Sequence, residues 1–173
     1  MGDHSLSCGK SGGRIARHNM LRDVIFETAS SMIMIWGRSG KRGICFLALL
    51  PDQGMSDGKD GAIDVTVTSP LASSNVAGAE AQAGASLAKA CQRKVGDTAD
   101  ACQREGLVFL PFAMETLGGL HPGAVTQVKL LASSLARSKG SDERKATSQL
   151  FRRLSLNLMR GNALMQWGVS TLK

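Results

Sequence analysis

The stretch GAIDVTVTSPL, Gly61 to Leu71, carries the clearest strand signal in this chain and sets one carboxylate, Asp64, inside it. Strand side chains alternate, so Ile63, Val65 and Val67 fall on one face and Asp64, Thr66 and Thr68 on the other. The β-branched run favours a strand, and Ser69-Pro70 closes it because proline cannot donate to a ladder. An acid on such a strand must be paired, hydrated or metal-bound, since burying a bare carboxylate is costly. Asp64 is therefore the first candidate for chemistry.

Upstream, ICFLALL (44–50) is a short apolar run that predicts a buried strand. The turn-rich segment PDQGMSDGKDG (51–61) follows it, so residues 44–68 are expected to form a hairpin with a long connection. Before that, Leu21, Val24, Ile25, Thr28, Met32 and Trp36 recur at helical spacing from Ala16 onward, and the glycines and cations of GRSGKRG (37–43) end the pattern. Downstream, the alanine-rich residues 77–104 predict one helix, weakened at Gly84 and Gly96 by about 1 kcal/mol each and stopped at Gly106. LVFLPFAM (107–114) predicts a third strand, with Pro111 marking an edge or a bulge. Pro122 opens a helix that turns Val125, Val128, Leu131 and Leu135 inward and ends at Lys139-Gly140. A last helix starts near Ser141, with Asp142 and Glu143 at its positive end and Leu150, Phe151, Leu154 and Leu158 along it. The order α-β-β-α-β-α-α describes an α/β domain, a small mixed sheet flanked by helices. Residues 1–15 read as a flexible lead-in, 16–167 as the domain with an irregular segment at 37–61, and 168–173 as a tail.

At 173 residues with 43% hydrophobic content, the chain can bury a core. Its 21 lysines and arginines exceed its 14 acids, a net charge of +7 that favours a polyanionic partner, nucleic acid first. Two tryptophans and five phenylalanines, with no tyrosine, are too few for a base-stacking platform. The longest apolar run, 44–50, is far short of the roughly 20 residues that cross a bilayer, so no membrane partner is expected. Cys8, Cys45, Cys91 and Cys102 form no CxxC pair, and no secretory signal opens the chain. Reduced thiols in an intracellular protein follow as the expectation.

Two constellations bear on chemistry. Asp64 on a strand followed by Lys94 on the next helix can hold a divalent ion and polarise a phosphodiester. The plainer alternative is a structural Asp–Lys pair, or a Lys94 on a solvated helix face. Glu115 and Glu27 are further acids near the sheet. On the last helix, Arg144, Lys145, Arg152, Arg153 and Arg160 form a stripe that could contact phosphate backbone; such a stripe is also what an ordinary wet face looks like. His4 and Cys8 have the spacing of half a zinc knuckle, but zinc wants four ligands and no cysteine pair precedes them, so zinc is not expected in this fragment.

Five segments in order, RIARHNMLRDVIFETA (14–29), AIDVTVTSPL (62–71), Arg93-Lys94 with Cys102 and Gly106, F-x-P-F-x-x-E-T-L-G-G (109–119) and QLFRRLSLNLMRGNA (149–163), resemble the C-terminal region of non-LTR retrotransposon reverse-transcriptase polyproteins. That region is similar to restriction-like endonucleases of the PD-(D/E)xK class. GDHSLSC (2–8) likewise resembles the end of the zinc knuckle preceding it. The resemblance implies a restriction-endonuclease-like fold and Mg²⁺-dependent nicking of DNA, with DNA or RNA–DNA intermediates as partners and the nucleus as a setting. It maps the metal-binding acid onto Asp64 and the catalytic lysine onto Lys94, and marks Glu115 as a motif position. The family's first carboxylate, from an R-P-x-D or P-D strand start, has no clear counterpart; Pro51-Asp52 is the substitute, making Asp52 the second metal ligand. The family's tryptophan after Gly-Gly is Leu120 here. The expectation is a degenerate, metal-dependent endonuclease-like domain. Its alternatives are a non-catalytic basic nucleic-acid-binding remnant and a translated pseudogene fragment.

Overall fold

The alternation read from Gly61 to Thr68 is realised in a strand buried on both faces. In a computed structural model, which describes residues 12–30, 36–38, 45–47 and 61–166, this is β3 (Gly61–Thr68), an inner strand of a four-stranded sheet. The elements run α1 (Gly13–Ser30), β1 (Trp36–Arg38), β2 (Cys45–Leu47), β3, α2 (Val76–Ala81), α3 (Ala85–Arg104), β4 (Val108–Glu115), α4 (Pro122–Lys139) and α5 (Glu143–Gln166). The sheet order is β1-β2-β3-β4. β1–β2 and β2–β3 pair antiparallel, and β3–β4 pair parallel with Asp64 opposite Pro111 and Thr68 opposite Glu115. The class is mixed α/β, as the pattern predicts, and β2–β3 is the expected hairpin.

Two expectations change. The first helix is described over Gly13–Ser30, Met32 lies outside the described residues, and Trp36 begins β1, opposite Leu47. A tryptophan that fits the helical period is claimed instead by strand pairing, a tertiary override of local pattern. The expected single helix over 77–104 is broken into α2 and α3, because Gly84 takes a left-handed φ of 80° just before α3. A helix interior cannot continue through that conformation, which glycine adopts without steric cost. Gly96 stays inside α3.

β4 is an edge strand among the described residues, which explains how it tolerates Pro111. The Pro111 carbonyl accepts a hydrogen bond from Gln127 Nε2 on α4 (3.3 Å), so its N–H-less side faces away from β3. The same outer side receives a return segment: His121 N donates to the Ala113 carbonyl and Glu115 N to the Gly119 carbonyl.

The two sheet faces are covered unequally. Ile63, Val65, Phe112 and Met114 pack with Leu21 and Ile25 of α1, Val128 and Leu131 of α4, and Leu150, Leu154 and Leu158 of α5. The opposite face carries α3, where Leu87, Ala90 and Cys91 cluster with Ala113. Helices α1 and α5 cross closely: a Cβ at Gly161 would lie 2.6 Å from Arg17 Cγ and 3.0 Å from Arg17 Cα. Gly140, at φ 59°, caps α4, and Asp142 Oδ1 then accepts from Lys145 N (2.8 Å) at the start of α5.

Candidate functional site

Parity places Asp64 on the α3 face of β3. The inward positions of α3, Leu87, Cys91, Thr98 and Cys102, are spaced in threes and fours with Lys94 falling between Cys91 and Thr98. A helix stripe that points at the sheet therefore includes one lysine, directly over a strand that includes one aspartate. Lys94 Nζ lies 2.7 Å from Asp64 Oδ2. The Asp64 side chain is 3% exposed and that of Lys94 25%, so the pair bridges core and surface. Asp64 Oδ1 is buried without a hydrogen-bond partner among the described residues. A half-satisfied buried carboxylate is costly, and Lys94 is what makes it tolerable.

Lys94 also lines a cleft of about 350 Å³ between α1, β3 and α3. Arg14, Ile15, Arg17 and His18 of α1, Val65, Thr66 and Val67 of β3, and Arg93 with Lys94 of α3 form its wall. The opening follows from the strand pairing. β2 is in register with β3 only from Gly61 to Ile63, so the β2 side of β3 has no partner strand beyond Ile63 among the described residues. Four cations around one small cleft repel each other. Arg17, 3% exposed, has its pKa lowered to about 10 by burial and then by Arg14. His18 is held below its ordinary value, first by burial, with Asp64 opposing and Lys94 and Arg22 adding to the shift. The Cys102 thiol of α3 is pushed up by burial and then by the Asp64 charge. Arg17 Nη1 donates to Asn162 Oδ1 (2.8 Å), and Asn162 Nδ2 donates to the Thr116 carbonyl (2.7 Å).

The other sequence candidates lie elsewhere. Asp52, His4 and Cys8 fall outside the described residues. Glu115 sits opposite Thr68, four residues along the strand from the Asp64 level, a distance of roughly 13 Å at strand rise. It accepts a 2.5 Å hydrogen bond from Ser86 Oγ and does not join Asp64. Glu27 pairs with Arg153 at 2.6 Å, so one cation of the α5 stripe is already engaged. Arg144, Lys145, Arg152 and Arg160 are exposed on α5. Arg144 lines a separate cleft together with Lys129, Asp142 and Glu143, where the charges are mixed.

A resident Mg²⁺ does not fit the described part of the site. No group of three or more His, Cys, Asp or Glu side chains gathers among the described residues. Asp64 offers one buried oxygen and one covered by the Lys94 ammonium, and the neighbouring cleft is lined by cations that repel a bare divalent ion. The arrangement suits an oxyanion.

The cleft residues Arg14, Arg17, His18 and Arg93 were not candidates for this site from sequence. One signal was present: Arg17 lies one turn before Leu21 on the buried stripe of α1, a cation where the pattern calls for an apolar residue. Comparison of the chain with family models, curated proteins and solved structures returns no match. No described helix is long and apolar enough to cross a membrane.

Proposed function

We propose that this chain is a restriction-endonuclease-like nucleic-acid-binding domain, derived from a retrotransposon polyprotein and degenerate in cutting. The α1–β3–α3 cleft seats a backbone phosphate of DNA or of an RNA–DNA intermediate. The observation carrying this reading is the gathering of Arg14, Arg17, Arg93 and Lys94 around one small cleft, with buried Asp64 paired to Lys94. A phosphate oxyanion relieves the mutual repulsion of these groups and supplies acceptors for arginine forks. Exposed Arg14 and Arg93 would meet the backbone first, and the net charge of +7 would speed the encounter. Lys94, anchored by Asp64, presents its remaining N–H donors at the wall rather than swinging free in solvent. Binding of this kind positions a backbone without reading bases.

What supports degeneracy is the donor set among the described residues, which do not include Asp52. Hydrolysis of the expected kind needs carboxylates free to take an ion, and Asp64 is committed to Lys94. The test is gel-shift binding across a salt series, run beside plasmid nicking with Mg²⁺ or Mn²⁺. Affinity should fall steeply with salt, and neither wild type nor Asp64→Asn should nick. Nicking by wild type that Asp64→Asn abolishes would overturn the degenerate assignment in favour of an active endonuclease. Failure to bind DNA or RNA–DNA hybrid at low salt would sink the nucleic-acid reading.

A further inference from the structure

Arg17 is a cation deep in the protein, and α5 supplies contacts that help set where its guanidinium lies. Its stem packs against α5 at Gly161, where no larger residue would leave room. The next residue, Asn162, then reaches Arg17 Nη1 with its carbonyl oxygen and the Thr116 carbonyl, just past β4, with its amide nitrogen. These two bonds fix the amide one way round. Turned over, it would set N–H donors against the guanidinium and an oxygen against the Thr116 carbonyl. Asparagine is also a neutral acceptor. It orients the guanidinium without cancelling its charge, as an aspartate there would.

We infer that Asn162 is a positioning residue that aims the Arg17 guanidinium at the oxyanion held in the α1–β3–α3 cleft. This rests on the reading of that cleft as a phosphate site. Residue 162 lies on α5 near its C-terminal end, outside the cleft wall, and acts only through Arg17. The role of the Gly161-Asn162 pair is to let α5 approach closely and then supply the acceptor.

The experiment measures binding of a labelled DNA duplex and of inorganic pyrophosphate to wild type, Asn162→Ala and Asn162→Asp, with thermal melting of each. Asn162→Ala should weaken both ligands about tenfold and lower the salt slope for DNA by about 0.9, the value of one lost phosphate contact. Asn162→Asp keeps an acceptor for Arg17 but neutralises it, and should weaken both ligands at least as much. If Asn162→Ala proves too unstable to titrate, Asn162→Asp carries the same readout. Variants that melt lower yet bind both ligands as wild type would make Asn162 a mere strut and overturn the inference. Wild type that binds pyrophosphate in an Asn162-dependent way but not DNA would uphold the inference and remove the nucleic-acid reading. Binding of neither ligand would remove both.

Discussion

Replacing Lys94 by methionine tests the centre of the site. The Asp64 side chain is 3% exposed, one of its oxygens has no hydrogen-bond partner among the described residues, and the other is met by Lys94 at 2.7 Å. Methionine fills the volume of the lysine stem and removes the ammonium, leaving an uncompensated buried charge. Breaking a buried pair from one side typically costs 3–5 kcal/mol; the 25% exposure of Lys94 admits some water, so about 3 kcal/mol is expected at neutral pH. Asp64→Asn strands Lys94 instead, but that group can reach solvent, and about 1 kcal/mol is expected. The double variant removes both charges together and should lie close to Asp64→Asn, giving a coupling energy of about 2–3 kcal/mol. Urea denaturation of the four proteins at constant pH and salt supplies the cycle. The Arg153–Glu27 pair provides a control in the same molecule: its side chains are 44% and 63% exposed, and Glu27→Ala should cost under about 1 kcal/mol. A Lys94→Met cost no larger than that of Glu27→Ala would refute the reasoning, because Asp64 would then be hydrated.

Other expectations follow from single contacts. Gly161→Ala drives a Cβ to 2.6 Å from Arg17 Cγ and 3.0 Å from its Cα; overpacking of about 3 kcal/mol, less about 1 kcal/mol of helix propensity, predicts a net loss near 2 kcal/mol by chemical denaturation. A neutral or stabilising result would mean α1 and α5 are not in such close contact. Because His18 is held below its ordinary value of 6.5, the unfolded chain takes up the proton first as pH falls. Stability should therefore decline below about pH 6.5, and His18→Gln should flatten that limb; identical slopes in wild type and variant between pH 7.5 and 5.5 would count against it. Asp142→Ala removes the acceptor for Lys145 N and should cost about 1 kcal/mol. An unchanged melting temperature would show that α5 does not need that cap.

The split between what could be read locally and what could not is clear at particular residues. The alternation in Gly61 to Thr68 placed Ile63 and Val65 together in the main core and Asp64 on the other face, because strand parity depends on the backbone alone. Pro111 at an edge, Pro122 opening α4 and Gly140 closing it were legible for the same reason: each rests on the φ or the missing donor of a single residue. Lys94 was half legible, since its spacing from Cys91 and Thr98 sets it on the inward stripe of α3, yet a stripe does not name its opposite wall. Trp36 and Gly84 went the other way, where strand pairing and a left-handed turn overrode a continuous helical pattern.

The sequence by itself determined a mixed α/β chain with one acid on its best strand and an excess of positive charge. Only the tertiary structure decided what that acid meets. Periodicity says which side of an element is buried, whereas the partner across the gap depends on how distant segments pack. Arg14 and Arg17 from α1 and Arg93 and Lys94 from α3 converge, with Asn162 of α5 bonded to Arg17, because those helices close on one sheet. Asp64 thereby becomes the anchor of a cationic cleft rather than a free carboxylate, a role no local pattern around it encodes.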